Sequence, residues 1–561
     1  MTLEHQDNTV ISAVLRDIAA SVGASDFARA AALATDALNR GMVHPALFNA
    51  HALLAQQEGR HEEALADFQR AFAFTPKDVA LLNAIGLCLV RVNRADEATA
   101  VFDSALRIAP ALAPTHFRKG WAHAACGDYD LARKAYERAV QLQPNYAEAI
   151  AGLAWIAARN GDAAKARLYG ERVLKLDGRQ TTANGALATA EIAEGLFEQA
   201  EHRLEPLLAD ENLDRETRAT LTGFFADALD GQGRIEEAFA AYSASNSELR
   251  ALHAARFPDE RRLSRHVSDL IGWLDSGSAP TGGAAVLGRH AMVTRKDAHS
   301  TPKDGRASRE PRQHVFLLGF MRSGTTLLEQ ALARHPDVVS LEERDTLSPL
   351  ANEFLSDFPA LMRLASLTPP DMNRVCEQYW QRVKSFGIDA AGKAFIDKQP
   401  LASINLPVIA NLFPTAKILL AVRDPRDVVF SCFRRHFEIG PASFELLELE
   451  DAARFYDSVM QLVETCRTRM SLPVFEQRYE DMIANLEQRL DSICDFIGIE
   501  PCDTMGQLDG PRKDIRSASA AQIRRGLYAG GSGHWRRYRK HLEPILPILA
   551  PWVRRFGYSD E

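Results

Sequence analysis

Along the first half of the chain, small and apolar side chains return to the same places every 34 residues. Pro76, Pro110 and Pro144 keep that step, as do the turn residues Gly59, Asn93, Gly127, Gly161 and Gly195. Ala64, Ala98, Ala132, Ala166 and Ala200 each stand five residues after a turn. Phe68, Phe102 and Tyr136, with Tyr169 one place early, continue the register, followed by Ala71, Ala105 and Ala139. This is an apolar stripe at helical spacing, and it predicts pairs of helices joined by tight turns. Alanine is needed where two helices approach to about 8–10 Å, because only a small side chain fits there. Weaker helical pairs at 12–40 and 217–249, the second turning at Gly233, read as caps on the stack. One more helix is expected over 266–275. Residues 276–313, rich in Gly, Ala, Ser, Pro and mixed charge, read as a flexible linker.

From residue 314 the pattern changes. Apolar runs VFLLGF, AFID (394–397), KILLAVRD (417–424) and LPVFEQRYED (472–481) alternate with helical stretches, which predicts βαβ units and a parallel sheet. The first run enters a glycine loop, VFLLGFMRSGTT. Backbone N–H groups of such a loop and of the helix after it attract a phosphate-like group. Gly319 and Gly324 fit the phosphate loop of nucleotide triphosphatases, but Thr325 replaces its lysine and Arg322 supplies the nearby charge. Past the third long run, Arg423 leaves the sheet and Ser431 follows two helical turns later, a pair suited to a second anion. Two anion sites suggest a bisphosphorylated nucleotide.

Composition narrows the options. A net charge of −8 with 46% hydrophobic residues excludes a general nucleic-acid binder. The basic and aromatic WRRYRKH segment (535–541) therefore reads as bracing the nucleotide loop. Seven dispersed cysteines without a CxxC pair suggest reduced thiols, and sixteen histidines without HxxxH spacing predict no metal centre. Without an apolar stretch of membrane-spanning length or a leader, a cytoplasmic protein with no membrane or nucleic-acid partner is expected.

The 34-residue register resembles tetratricopeptide repeats over about residues 43–208. Such repeats stack into a superhelix with a concave face that commonly holds peptides. A protein partner or acceptor in that groove is one expectation, and a purely bracing or dimerising array is the other.

The RSGTT loop, the Arg423–Ser431 pair, the RYEDM segment and RRGLYAGGSGHW (524–535) jointly resemble sulfotransferases that use 3'-phosphoadenosine 5'-phosphosulfate. The resemblance implies that Arg322, Ser323, Gly324, Thr325 and Thr326 hold the 5'-phosphosulfate. It places Arg423, Ser431, Arg524, Arg525 and Gly526 at the 3'-phosphate and Tyr479 beside the nucleotide. HPDVVSLEERDTL most resembles the tyrosylprotein sulfotransferases. It implies that Glu343, or its neighbour Glu342, is the base, with Lys398 on the bridging oxygen and Arg322 on the sulfuryl oxygens. Pro400 stands where small-molecule sulfotransferases have a histidine base, and Asp345 and Gly533 replace an arginine and a serine of the tyrosylprotein enzymes.

The expected fold is therefore α + α/β. An N-terminal all-α tetratricopeptide superhelix (1–250) and a helix with linker (251–312) precede a P-loop-like α/β domain with a central parallel sheet (313–561). The expected activity is transfer of a sulfuryl group to a hydroxyl of a peptide, protein or glycan, without a metal. Two alternatives remain: a repeat scaffold whose nucleotide domain binds without catalysing, and a phosphoryl transferase.

Overall fold

The computed structural model describes residues 3–276, 311–435, 437–507 and 532–559, with side chains from residue 11. The chain divides into two compact units, 1–190 and 191–561.

The first unit is a stack of helix pairs, among them Pro45–Gln57 with His61–Phe74, Val79–Arg91 with Ala95–Ile108, and Ala113–Ala125 with Tyr129–Leu142. The turns need a left-handed residue. Gly59, Gly127 and Gly161 have φ of 76°, 73° and 71°, and Asn93 takes φ 61° in the same place. Asparagine tolerates this conformation better than other side chains with a Cβ. The alanines at 64, 98, 132 and 166 are fully buried, as the 34-residue register requires. Two aromatics of the stripe, Phe102 and Tyr136, sit against glycines. A Cβ on Gly86 would lie 2.5 Å from the Phe102 ring, and one on Gly120 would lie 2.5 Å from Tyr136.

Gly86→Ala is therefore expected to destabilise the repeats. Alanine gains about 1 kcal/mol of helix propensity over glycine. The overpacking against a fully buried ring costs about 1–3 kcal/mol and is the larger effect. A lower urea midpoint for the helical transition would establish this, and an unchanged or higher midpoint would refute it.

The second unit contains a five-stranded, all-parallel sheet: β1 (Gln313–Gly319), β2 (Val338–Ser340), β3 (Ala394–Lys398), β4 (Lys417–Val422) and β5 (Val474–Arg478). Their order is β2-β3-β1-β4-β5. Strands β1, β3 and β4 are buried almost throughout, which is why they read as unbroken apolar runs. Because β1 lies between β3 and β4, the chain leaves it in opposite directions on its two sides, and a crevice opens at its carboxyl end.

The boundary expected at residue 250 lies inside this unit. The helices Arg215–Gly231, Ile235–His253 and Leu263–Ser276 share its core, where Tyr242, Val267 and Leu270 cluster with Phe316, Phe430 and Tyr538. Polar contacts fasten them. Asn246 Nδ2 donates to the Phe433 carbonyl (2.7 Å), Arg250 pairs with Asp451 (2.7 Å), and Arg262 bridges Glu445 and Asp451. None of the helices in the described residues is long and apolar enough to cross a membrane.

Candidate active site

Every strand of the sheet delivers one element to the crevice at its carboxyl end. β1 ends in the Gly319–Thr326 loop, β2 leads to Glu343, β3 ends at Lys398, β4 is followed by Arg423, and β5 is followed by Tyr479.

The loop needs both of its glycines. A Cβ on Gly319 would meet the Ala421 carbonyl oxygen of β4 at 2.6 Å. The Ser403 hydroxyl, in the short helix that Pro400 begins, donates to the Gly319 carbonyl (2.8 Å) and accepts from its N–H (3.2 Å). Gly324 is left-handed (φ 95°), and a Cβ there would strike the Tyr479 ring at 2.6 Å. Tyr479 thus packs against Gly324 on one side, while the Arg423 guanidinium carbon lies 5.0 Å from its ring centroid. Gly324 caps the helix Thr325–Leu332, so the loop N–H groups and the positive end of the helix dipole face one region. Ser323, Thr325 and Thr326 are buried around it.

Arg322 is itself left-handed (φ 68°). Its Nε donates to Ser431 Oγ (3.1 Å), and its carbonyl accepts from Arg423 Nη1 (3.1 Å). The loop is thereby tied to the Arg423–Ser431 pair. Burial first, then the like charges of Arg435 and Arg423, pull the Arg322 guanidinium down to about 9. Cations gathered this closely, with Arg434 beside them, favour an anion.

On the other side of the loop, Lys398 Nζ lies 2.6 Å from Glu343 Oε1 and 3.0 Å from Glu329 Oε2. Burial alone would lower the lysine, but the two carboxylates outweigh it and the net direction is up. Glu329 lies on the helix after the loop, and Ser340 Oγ donates to it. Its carboxyl is raised by burial, with Lys398 opposing. Sequence reasoning missed Glu329. Its only signal is a charged residue one helical turn after Thr325 on an otherwise apolar face.

Asp397, adjacent to Lys398, is buried on a different network. It accepts from Tyr379 Oη and Thr346 Oγ1 (2.7 Å each), and burial raises it to about 6. The magnesium ligand that a phosphoryl transferase would require at this strand end is thus engaged with two hydroxyls.

Of the C-terminal loop, Arg524, Arg525 and Gly526 lie outside the described residues. Its end is anchored by Asp427, which accepts from the N–H groups of Gly533 (2.6 Å) and Trp535 (2.9 Å). Trp535 is fully buried under Arg426, whose guanidinium carbon is 4.0 Å from its ring centroid. Asp230, from the helix Arg215–Gly231, contacts Arg434 (2.8 Å), His534 (3.3 Å), Arg537 (3.2 Å) and Tyr538 (2.8 Å). The WRRYRKH segment is thus a structural brace, with its two aromatic rings inside the core. Neither aspartate announces itself in sequence, because the partners are far away along the chain.

Residues 314–503 match the Sulfotransferase family, and residues 49–113 and 113–146 match tetratricopeptide repeats. An uncharacterized protein of Aquifex aeolicus (strain VF5) is 26% identical over 45% of this chain and 34% of its own length. Protein-tyrosine sulfotransferase 1 of Danio rerio is 24% identical over 53% of this chain and 84% of its own. Among solved structures, the sulfotransferase domain of the Synechococcus PCC 7002 olefin synthase aligns over 46% of this chain and all of its own. It has 20% identity and a TM-score of 0.29. The chain joins tetratricopeptide repeats in its N-terminal half to a sulfotransferase-family domain in its C-terminal half.

Proposed function

We propose that the C-terminal domain transfers a sulfuryl group from 3'-phosphoadenosine 5'-phosphosulfate to a hydroxyl of a protein tyrosine or a saccharide. In this reading the repeats recruit the acceptor or a partner. The observation that carries the reading is the pair of Glu343 and Lys398, 2.6 Å apart at the ends of neighbouring strands beside an anion-binding loop. The residues present fit the donor. The Gly319–Thr326 loop with Arg322 suits the 5'-phosphosulfate, and Arg423 with Ser431, tied to that loop through Arg322, stands where a 3'-phosphate is expected.

The donor supplies an activated sulfuryl group. Glu343 takes the proton of the acceptor hydroxyl as the new S–O bond forms. Lys398 meets the negative charge on the bridging oxygen as the old S–O bond breaks. Loop N–H groups and the hydroxyls of Thr325 and Thr326 hold the 5'-phosphate, and Tyr479 lines the nucleotide. Less charge develops on a sulfuryl than on a phosphoryl group bridged by magnesium, so an arginine and two threonines replace the lysine and metal.

Incubating the protein with ³⁵S-labelled donor, a tyrosine-bearing peptide and a panel of oligosaccharides should give labelled product. Calorimetry with adenosine 3',5'-bisphosphate should show binding without magnesium. Binding without transfer to any acceptor would turn the reading into a nucleotide-binding scaffold. Binding of ATP only with magnesium would replace it with a phosphoryl transferase.

A further inference from the structure

Lys398 faces two carboxylates of different standing. The Glu343 side chain is 30% exposed, at the mouth of the crevice, whereas that of Glu329 is 1% exposed and held by the Ser340 hydroxyl. Only Glu343 is placed to turn toward an incoming hydroxyl. When it accepts the proton it becomes neutral and stops compensating the ammonium. Lys398 is 1% exposed, and a buried ammonium without a counter-charge is strongly disfavoured. The lysine would then give up its own proton when its charge is needed on the leaving oxygen. Glu329 is the remaining anion within reach, fixed by the helix after the loop and by β2.

We infer that Glu329 is a positioning residue, the standing counter-ion that keeps Lys398 charged and aimed at the leaving oxygen while Glu343 is occupied with the acceptor. This inference rests on the proposed sulfuryl transfer and assigns separate duties to the two carboxylates. The charged groups that face Lys398 are Glu329 from the loop helix and Glu343 from the segment after β2. Among the described residues, those that face Glu329 are Lys398 and Glu343, with the Ser340 hydroxyl from β2 and, farther off, Asp397 of β3. Because Glu329 adds negative charge beside the lysine, its removal must move the lysine titration downward.

The test is Glu329→Gln, which keeps the shape and an oxygen for Ser340 while removing the charge. With ¹³C-lysine-labelled protein, the Lys398 resonance is assigned by its loss in Lys398→Arg and followed against pH without ligand. Its midpoint should fall by about one pH unit or more. In transfer assays kcat should drop about 10- to 100-fold, with the basic limb of the pH profile displaced to lower pH and affinity for adenosine 3',5'-bisphosphate within about twofold of wild type. Glu329→Asp, which retains the charge, should recover part of the loss. An unchanged midpoint and basic limb in folded Glu329→Gln would overturn the inference.

A lowered midpoint in a protein that transfers sulfate to no acceptor would overturn the proposed function and uphold the hold of Glu329 on Lys398. If Glu329→Gln does not fold, Ser340→Ala serves instead. It frees the carboxylate without changing charge and should lower kcat several-fold, and a wild-type kcat would refute the inference.

Discussion

Replacing Lys398 with methionine is expected to lower kcat for sulfuryl transfer by about 10²- to 10³-fold, with affinity for adenosine 3',5'-bisphosphate retained. The expectation follows from position. The ammonium sits at the end of β3 beside the loop, with Glu343 at 2.6 Å, where it can meet negative charge that develops next to the base. Methionine matches the stem but leaves Glu329 and Glu343 facing each other in a buried site, so some loss of stability accompanies the loss of rate. Single-turnover transfer and calorimetry on the same folded sample separate the two. Transfer within about threefold of wild type would remove Lys398 from the mechanism. Loss of nucleotide binding in parallel with rate would move it from the leaving group to the nucleotide site.

Asp230→Ala should cost about 3 kcal/mol in the stability of the second unit, because it leaves the partly buried Arg434 without its carboxylate. The side chain is 10% exposed and contacts Arg434, His534, Arg537 and Tyr538. Burial by itself would raise its carboxyl, but the hydrogen bond to His534 and the charge of Arg434 outweigh that and hold it far below the usual carboxylate range. A depressed native value means that the stabilisation is complete above the titration of an unfolded aspartate and is lost as pH falls toward the native value. Wild-type stability should therefore decline below about pH 4 more steeply than that of Asp230→Asn, measured by urea unfolding from pH 3 to 7. Equal slopes would show that the cluster contributes little.

The fold was legible where periodicity is forced by packing. The 34-residue step follows from stacking identical helix pairs, and the apolar runs of β1, β3 and β4 follow from burial on both faces of a parallel sheet. The anion loop was legible because close backbone approach leaves glycine as the only solution at Gly319 and Gly324. Glu343, Lys398, Arg423 and Tyr479 were nameable because each lies at or just past the end of a strand, on a segment that resembles the sulfotransferases. What escaped was set by distant contacts. The bond from Arg322 to Ser431, which ties the loop to the helix after β4, is one that no spacing rule conveys. Glu329 was hidden inside an ordinary amphipathic helix. The helices at 215–276 continue the repeat pattern in sequence but bury their apolar faces in the sheet domain, and the pattern does not say which neighbour covers a face.

The contacts of Asp230 with Arg434 and Tyr538 span 204 and 308 residues of chain. In the repeats, contacts between adjacent helix pairs close within tens of residues, so each pair can settle as soon as the next is made. The helices from 215 to 276 find one such partner, Phe197–Leu208, where Gln232 Nε2 donates to Glu201, but not the cover for their other apolar faces. During synthesis Tyr242, Val267 and Leu270 stay uncovered until nearly the whole sheet domain has emerged and the residues around Tyr538 arrive. The ribosome thus releases a finished repeat stack followed by a helical arm with one apolar face still uncovered, and that interval is when this chain most needs protection from aggregation.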